Sequence, residues 1–507
     1  MDISLDRHGR TPLYLQIRNQ IRRLILSGSL LPGCSLPPER KLAVLLNVNR
    51  STVVNAYREL EADGLIESHV GRGTRVREAP AGEKSGAAAT GVRPVAWQHF
   101  FSRQSGRMQN PLISNILDLL ARDEIISFAA GVPSPDFYPV GEFLMIQEEL
   151  LGGGGTQFLE HVSTAGYMPL REYIAGRMAE RGVPAGPENI IVLSGSQQGL
   201  DLLVRVLIDP GDVVVIEEPS YLGAIQAFTA AGARILSVPV DGDGMRPDIL
   251  DQLLSRYRPK FIYTLPTFQN PSGITMSRER RLQLLEMACR HQAPVIEDDP
   301  YGELFYGGER VLPLKSDDLY GHVIYLSTFS KVLFPGLRVG WAAAPADVIH
   351  RLTMAKQLAD LHCNTLSQAA LAEFCRRGLL DKHLETARVE YAGRRDAMLA
   401  ALDEEAPPGM EWNRPAGGYY IWCSLPGGVT ATRLLARASG AGVAFLPGDA
   451  FYAGGGGAGN IRLGFSRYRP GVIKEGVSRL CRVINELISE GPGRGAGKTV
   501  TEAIPIT

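Results

Sequence analysis

The sequence predicts an α/β protein of more than one domain, in which a small helical unit with a terminal hairpin precedes a large unit built on a mostly parallel sheet. The chain has 507 residues, which is more than a single hydrophobic core ordinarily serves. Residues 13–62 carry apolar side chains at helical spacing, and two short alternating segments follow them. From about residue 190 onward, short apolar runs alternate with helical stretches, which is typical of a parallel sheet covered on both faces.

Three helices are predicted in the N-terminal domain, which we place at residues 1–78. The first covers 13–26, and the second runs from 40 to 46 behind a Pro-Pro pair, where the missing N–H of proline is tolerated. The third covers 50–62, with Asn49 as its N-cap. This order predicts a helix-turn-helix arrangement.

A basic hairpin is predicted to close this domain. Residues 65–68 and 74–77 alternate like short strands, and the Gly-containing segment 70–73 is their turn. The first 78 residues hold 12 Lys and Arg against 8 Asp and Glu, a net charge of +4, whereas the whole chain carries −1 and the remainder therefore −5. A polyanionic partner suits only the first domain.

Beyond this domain we predict a linker at 79–110, a large domain at 111–490 and a flexible tail at 491–507. Its first part, 79–96, is rich in Gly, Ala, Ser and Pro and poor in large apolar residues, and the stretch from Trp97 is an entry segment to the large domain. A small C-terminal subdomain is expected at the end of the large domain. Its sheet is predicted from six apolar runs, at 190–193, 213–216, 261–264, 295–297, 323–326 and 339–342.

Composition excludes several classes of protein. The six cysteines, at positions 34, 289, 363, 375, 423 and 481, include no Cys-x-x-Cys pair, so we expect neither a disulfide framework nor a metal site. The sequence has no unbroken apolar run of 18 residues, and its first 30 residues lack the apolar core of a signal peptide. We expect a cytoplasmic protein without a membrane partner.

Several polar motifs directly follow predicted strands, where open parallel sheets bind ligands. Ser196 and Gln197 open a helix whose N-terminal N–H groups suit a phosphate, although such turns are also common as plain helix caps. Lys331 follows a strand and has Thr328, Ser330 and Arg338 near it in sequence. A surface amine is the alternative interpretation for Lys331, but this setting favours a neutral, nucleophilic lysine with an anion site beside it.

Other motifs supply what such a lysine needs from a cofactor pocket. Asp298 ends a buried strand, where an unpaired carboxylate is costly and a pyridinium nitrogen would pair with it. Asn270 and Tyr301 offer hydrogen-bond donors for a phenolic ring oxygen. Together with Lys331, these residues predict a pocket for pyridoxal 5'-phosphate (PLP).

In these motifs the chain from about 111 to 490 resembles the fold-type I PLP-dependent aminotransferases, especially the branch with the aromatic and 2-aminoadipate enzymes. The resemblance implies that Lys331 is the catalytic lysine of the internal aldimine and that Asp298 pairs with the pyridine nitrogen. Arg462 would bind a substrate α-carboxylate, for which the alternative is a surface salt bridge. The remaining implied cofactor contacts are Asn270 and Tyr301 at the ring oxygen, Tyr221 stacked on the ring, and Ser196, Gln197, Thr328, Ser330 and Arg338 at the phosphate.

One position departs from that family. The family usually has a tyrosine that reaches the phosphate of the neighbouring subunit, in a Tyr-x-Asp-Pro-x-Gly motif. Here the corresponding stretch is 161–166 and begins with His161. His161 is therefore the candidate for this intersubunit contact.

Residues 12–77 resemble the GntR-type winged helix through the segments 12–17, 36–43, 49–53 and 71–74. The resemblance implies that the third helix enters the major groove by its N-terminal end. Arg50, Ser51 and Thr52 are then the candidate base or phosphate contacts, and Arg40, Lys41 and Arg72 the candidate backbone and wing contacts. A winged helix that binds only protein is the alternative.

The two domains in this order resemble the MocR/GabR-type transcriptional regulators. This resemblance implies that an amino acid or amine replaces Lys331 on the cofactor as an external aldimine and biases a homodimer between two arrangements on double-stranded DNA. A functional aminotransferase, converting an amino acid to a 2-oxo acid and carrying an accessory DNA-binding domain, is the alternative, because every core catalytic position is present. A third interpretation is a PLP-binding scaffold without signalling.

Overall fold

The computed structural model describes residues 12–26, 33–46, 48–69, 73–77, 100–108 and 125–490, together with Leu5, Leu30, Val95 and Trp97. The chain forms two compact units, residues 1–106 and 107–507. Each unit has its own hydrophobic core. The predicted linker at 79–110 lies largely outside the described residues, and the predicted tail at 491–507 lies entirely outside them.

The N-terminal unit contains a three-helix core followed by a hairpin. Its apolar helix faces pack together around Ile21, Val53 and Leu60, which are fully buried. The predicted first and third helices have the predicted bounds, whereas the second begins one residue earlier. The elements are α1 (Leu13–Leu26), α2 (Glu39–Leu46), α3 (Arg50–Ala62), β1 (Ile66–His69) and β2 (Gly73–Val76), with β1 and β2 antiparallel.

Asn49 differs in part from its predicted role. It has an extended backbone and directly precedes α3, but its side chain makes no capping hydrogen bond. The Thr52 N–H instead donates to the Asn49 backbone carbonyl at 3.0 Å. The side-chain part of the prediction is therefore wrong, while the helix still begins where the sequence indicates.

An eight-stranded sheet forms the centre of the large unit, with strand order β4-β11-β10-β9-β8-β5-β6-β7. All six predicted strands are present, but β11 is antiparallel to both of its neighbours, and β6 and β7 were not anticipated. The strands are β4 (Ile190–Leu193), β5 (Val213–Glu218), β6 (Arg234–Asp241), β7 (Gly244–Met245), β8 (Ile262–Thr264), β9 (Val295–Asp298), β10 (Val323–Thr328) and β11 (Gly340–Ala343).

Helices surround this sheet and build the C-terminal part of the unit. In the described part of the chain none is both long and apolar enough to cross a lipid bilayer. A short helix, α4 (Arg103–Arg107), spans the boundary between the two compact units. The helices of the large unit are, in chain order, α5 (Val140–Gly152), α6 (Met168–Glu180), α7 (Ser196–Leu207), α8 (Leu222–Ala231), α9 (Pro247–Arg256), α10 (Arg278–His291), α11 (Ala346–Ala359), α12 (Thr365–Arg376), α13 (Leu379–Glu405), α14 (Ala431–Gly440) and α15 (Pro470–Ser489).

Both faces of the central sheet are buried. Successive strand residues point to opposite faces, so Ile191 and Leu193 pack in one core with α7, α8 and α11, whereas Ile190 and Val192 pack in another with α6. The strands consequently are apolar at nearly every position, which is why they were recognisable as apolar runs.

The predicted C-terminal subdomain contains a small antiparallel sheet, in the order β12-β13-β16-β15. A separate short parallel pair joins β3 to β14. The strands are β3 (Ile126–Ser127), β12 (Glu411–Trp412), β13 (Tyr420–Ser424), β14 (Val443–Ala444), β15 (Leu446–Pro447) and β16 (Asn460–Gly464).

The topology brings polar segments together at one edge of the central sheet. Strands β4, β5, β8, β9 and β10 all run in the same direction, because β11 is antiparallel to both β4 and β10. Their carboxyl ends therefore meet along one edge, as expected for a ligand site in an open α/β sheet.

Candidate functional site

A cavity of about 400 Å³ lies at this edge of the central sheet and extends to the small C-terminal sheet. It brings together residues that are far apart in sequence and that the motifs had assigned to one pocket. The predicted site residues that line it are Ser196, Gln197, Tyr221, Asn270, Asp298, Tyr301, Lys331 and Arg462.

Lys331 lies just beyond the end of β10 and is half-buried. Its Nζ donates a hydrogen bond to the Gly131 carbonyl at 2.6 Å. Burial lowers the pKa of Lys331, and Arg462 and Arg338 act in the same direction. The surface-amine alternative therefore does not apply, and the amine is shifted toward its neutral, nucleophilic form.

Asp298 is the last residue of β9 and is 2% exposed. Its Oδ2 accepts a hydrogen bond from the Tyr263 hydroxyl at 2.7 Å, whereas Oδ1 has no hydrogen-bond partner among the described residues. Burial and the neighbouring Asp299 raise the pKa of Asp298 to about 7. A buried carboxylate with an unpaired oxygen fits the protonated ring nitrogen of PLP, which would pair with it.

Arg462, on β16, is 5% exposed. Its Nη1 donates to Asn270 Oδ1 at 2.8 Å and its Nη2 to the Ala129 carbonyl at 2.7 Å, while Nε is buried without a partner in the described chain. Because its partners are neutral and it is buried, the alternative of a surface salt bridge is excluded. A buried guanidinium that keeps a free donor can bind a ligand carboxylate.

The predicted phosphate contacts form a cluster around the first turn of α7. Ser196 begins this helix and, with Gln197, lines the cavity. Arg338 Nη1 donates to Ser330 Oγ at 3.2 Å, and Ser330 Oγ lies 3.0 Å from Thr328 Oγ1. Thr328, Ser330 and Arg338 are not among the cavity-lining residues.

Gly195 is what lets Arg338 approach this helix. It precedes α7 with φ of 84°, and a Cβ there would lie 2.5 Å from Arg338 Nη2. Arg338 Nη2 also donates to the Ser194 carbonyl at 3.3 Å. A helix N-terminus with an arginine held against it suits a phosphate dianion.

The remaining predicted cofactor contacts are aromatic. The Tyr221 hydroxyl donates to Gln197 Oε1 at 3.2 Å. The Tyr301 hydroxyl lies 3.0 Å from the Tyr420 hydroxyl. Tyr420 lines the same cavity and was not anticipated, although the Tyr-Tyr pair after Gly417 and Gly418 was visible in the sequence.

His161 is exposed and is not part of the cavity lining. Its Nδ1 lies 2.8 Å from His362 Nε2. The contact of His161 with a neighbouring subunit's phosphate remains a prediction.

Glu303 lies two residues beyond Tyr301 and holds three arginines. Arg177, on α6, donates through Nε at 3.1 Å, Arg388, on α13, donates through Nη2 at 3.2 Å, and Arg310 is also paired with it. Burial alone would raise the pKa of Glu303, but the surrounding guanidinium groups lower it to about 2. The loop that carries Tyr301 is thereby tied to two helices.

The candidate DNA contacts lie on α2 and on the first turn of α3. Arg40, Lys41, Arg50 and Ser51 are exposed and Thr52 is half-buried. The Arg50 guanidinium pairs with Glu39 Oε2, through Nη2 at 3.1 Å and Nε at 3.3 Å. Arg72 and the turn at 70–72 lie outside the described residues.

Two protein families match this chain. Residues 145–480 match the family described as aminotransferase class I and II, and residues 13–76 match the bacterial regulatory proteins of the gntR family. The first match includes every predicted site residue that lines the cavity, and the second includes the three helices and the hairpin of the N-terminal unit.

Individual relatives resemble either the large unit or the whole chain. An aromatic-amino-acid aminotransferase of Thermococcus litoralis is 42% identical over 77% of this chain and 95% of its own length. The probable rhizopine catabolism regulatory protein MocR of Rhizobium meliloti is 31% identical over 96% of this chain and 97% of its own length. The crystal structure of LysN, the α-aminoadipate aminotransferase of Thermus thermophilus, contains N-(5'-phosphopyridoxyl)-L-leucine and is 39% identical, with a TM-score of 0.74 over 78% of this chain and all of that chain.

Proposed function

Because this chain belongs to the class I and II aminotransferase family and carries a gntR-family region at its N-terminus, we propose that it is a PLP-dependent transcriptional regulator of the MocR type that senses an amino acid or an amine. Double-stranded operator DNA is the partner of its N-terminal domain, and a cytoplasmic homodimer is the proposed working form. Ligand binding at Lys331 changes the affinity of this dimer for DNA.

The observation that carries the proposal is that one cavity is lined both by Lys331, whose pKa is lowered, and by Asp298, a buried carboxylate with one oxygen unpaired among the described residues. PLP, when bound, supplies an aldehyde for the amine and a ring that accepts electron density. Lys331 would hold the aldehyde carbon, Asp298 would keep the ring nitrogen protonated, and Arg338 with the first turn of α7 would bind the phosphate. Arg462 binds the carboxylate of an amino acid ligand.

The experiment combines cofactor absorbance with DNA binding on the full-length protein. Binding sites would be selected from a pool of random duplexes with the PLP-loaded protein, and amino acids and primary amines would then be titrated in. A ligand that shifts the cofactor spectrum is expected to change DNA affinity over the same concentration range. Spectral shifts without any change in DNA affinity would contradict the proposal.

A working aminotransferase is the second candidate, because Lys331, Asp298 and Arg462 all line one cavity. Incubation of the PLP-loaded protein with amino acids and 2-oxoglutarate discriminates between the two. Many turnovers per protein molecule favour the enzyme. A spectral change with at most one turnover, coupled to a change in DNA binding, favours the regulator.

A further inference from the structure

Tyr420 stands out because it contacts three parts of the pocket at once and no motif assigned it a role. It begins β13 and is 3% exposed. Its direct cross-strand partner is Gly464, while Arg462 pairs with Trp422. Tyr420 and Arg462 therefore lie diagonally on the same face of the small sheet. The missing side chain at Gly464 lets the chain at Ala130 pack beside them, since a Cβ there would lie 2.5 Å from the Ala130 carbonyl oxygen.

The ring of Tyr420 supports the guanidinium of Arg462. The Arg462 Cζ lies 4.0 Å from the centroid of the Tyr420 ring, which is cation–π geometry. Hydrogen bonds to Asn270 and Ala129 hold the two Nη atoms of Arg462. The Tyr420 ring packs against the flat face of the same guanidinium and so fixes the orientation of its plane. Nε is then the donor of this guanidinium that has no partner among the described residues.

The hydroxyl of Tyr420 lies between Tyr301 and Gly131, the residue whose carbonyl accepts the hydrogen bond of Lys331. It is 3.0 Å from the Tyr301 hydroxyl. A Cβ at Gly131 would overlap the Tyr420 hydroxyl, so only glycine allows this approach. The carbonyl of the same Gly131 accepts the hydrogen bond of the Lys331 amine.

The charges around this hydroxyl favour its ionised form. Burial alone would raise the pKa of Tyr420, but Arg462, Lys331 and the hydrogen bond from Tyr301 together lower it. The pKa of Tyr301 is raised by burial and by Tyr420 itself, and the nearby Tyr221 also has a raised pKa because it is buried. Of these phenols, Tyr420 gives up its proton most readily while Tyr301 retains one to share.

We propose that Tyr420 is a positioning residue of this pocket, whose ring orients Arg462 toward a ligand carboxylate and whose hydroxyl shares a proton with Tyr301 beside Lys331. The part that concerns Arg462 rests on the proposed function, since it assumes a carboxylate ligand. The part that concerns the shared proton does not.

The proton-sharing part is tested by ultraviolet titration of tyrosine in the full-length protein without PLP. The parent is expected to show a tyrosine that ionises below the ordinary pKa of about 10. Tyr420→Phe should abolish this early ionisation, whereas Tyr320→Phe, which makes the same change at an exposed tyrosine, should preserve it. Early ionisation that survives in Tyr420→Phe would overturn this part.

The ring-stacking part is tested with L-alanine and ethylamine as probes of the PLP-loaded protein, monitored by cofactor absorbance. Tyr420→Leu is expected to weaken L-alanine binding roughly tenfold more than it weakens ethylamine binding, because only L-alanine has a carboxylate for Arg462. Tyr420→Phe keeps the ring but loses the hydroxyl, so it should change the binding of both probes by the same factor. Equal losses for both probes in Tyr420→Leu, or no loss for L-alanine in that variant, would overturn this part.

A parent protein whose cofactor spectrum responds neither to these probes nor to any of the amino acids and amines titrated above would contradict the proposed function instead. The tyrosine titration would still decide the role of the Tyr420 hydroxyl, because it needs neither PLP nor ligand. The two failures are therefore distinguishable.

Discussion

Lys331 and Asp298 both carry charges that their surroundings disfavour. Burial lowers the pKa of Lys331 and raises that of Asp298 to about 7. A ligand that bonds covalently to the amine and presents a cation to the carboxylate relieves both groups at once.

Substitution of Lys331 by alanine should abolish covalent attachment of PLP. The amine is the only group of this residue that can bond to the aldehyde, so borohydride treatment of PLP-loaded Lys331→Ala should leave no reduced adduct at position 331. Peptide mass spectrometry of the parent, the variant and Lys474→Ala, which changes an exposed lysine on α15, measures this. An undiminished adduct elsewhere in the variant would show that another lysine holds the cofactor.

The pH dependence of stability should reveal Asp298 in the protein without PLP. Its carboxyl has an ordinary pKa of 3.8 and a folded pKa of about 7. Between these values the folded chain holds a proton that the unfolded chain has released, so stability falls as pH rises through this window. Asp298→Asn removes that loss, and its melting temperature should exceed the parent's above about pH 7 but not below about pH 4.

With PLP bound, the parent should have a higher melting temperature than Asp298→Asn, which is the reverse of the order expected without PLP at high pH. An amide cannot pair with a pyridinium, so Asp298→Asn should bind PLP roughly a hundredfold more weakly. Asp201→Asn, at an exposed position on α7, controls for the same chemical change. Glu297, whose pKa is also raised to about 7 by burial, contributes equally in parent and variants.

Individual site residues could be predicted from the sequence where they belong to a local motif. Residues that matter through a contact between distant segments could not. Lys331 and Asp298 were recognisable because the first follows and the second ends a strand in a familiar segment, and Arg462 because it lies within the familiar segment 460–465. Tyr420 and Gly131 were not, because their importance depends on an approach between segments distant in sequence. An unusually close packing of a hydroxyl on a glycine leaves no local pattern.

Among the elements, the N-terminus of α7 depends on a glycine. Gly195→Ala places a side chain at φ of 84°, with its Cβ 2.5 Å from Arg338 Nη2. Arg338 must then move, and we expect the PLP affinity to fall by roughly tenfold or more and the melting temperature to drop. Equilibrium PLP titration and thermal unfolding measure both.

Gly176→Ala is the matched control for this change. Gly176 lies in α6 with open space around its Cβ position. Alanine there should stabilise the helix by about 0.5–1 kcal/mol and leave PLP binding unchanged. If Gly195→Ala behaved like this control, the close contact with Arg338 would be irrelevant to the phosphate site.

The first turn of α3 should carry sequence-dependent DNA contacts. Arg50→Ala is expected to cost about 1–3 kcal/mol of binding to a selected site and less on unrelated duplex DNA. Arg58→Ala, which removes an exposed arginine further along the same helix, should have a small effect on both. Fluorescence anisotropy at fixed salt distinguishes these outcomes, and equal losses for the two variants would argue against a role of Arg50 in recognition.

The elements that the sequence did not predict correctly have identifiable causes. Strand β6 is only partly buried along its length and contains Pro239, so it lacks both a continuous apolar run and a clean alternation. Strand β11 is antiparallel because the connection at 329–339 contains no α-helix to cross over the sheet. The Asn49 side chain was assigned to a cap on residue type alone.

At the scale of the whole molecule, the cavity that holds Lys331 and the candidate DNA contacts belong to different compact units of one chain. Arg50→Ala should therefore leave the spectral response of the PLP-loaded protein to amino acids intact, whereas Lys331→Ala should lose every amino-acid effect on DNA affinity. Parallel absorbance and DNA-binding titrations of the two variants measure this separation. A persistent amino-acid effect in Lys331→Ala would place the effector site elsewhere.

The two-domain organisation was predictable because its signals are long in sequence. A helical period and an alternating hairpin give way to repeated apolar runs, and the charge changes sign between the two parts. The boundaries at 78 and 110 remain predictions, since the compact units divide at 106 and most of the segment between lies outside the described residues.

The arginines gathered on Glu303 restrict how the pocket can respond to what it binds. The loop with Tyr301 cannot shift alone without separating Glu303 from Arg177 on one helix or from Arg388 on another. Breaking partly buried ion pairs is costly. If a ligand moves Tyr301 at the ring oxygen of PLP, we therefore expect α6 and α13 to tilt together with this loop, because the Glu303 carboxylate joins all three.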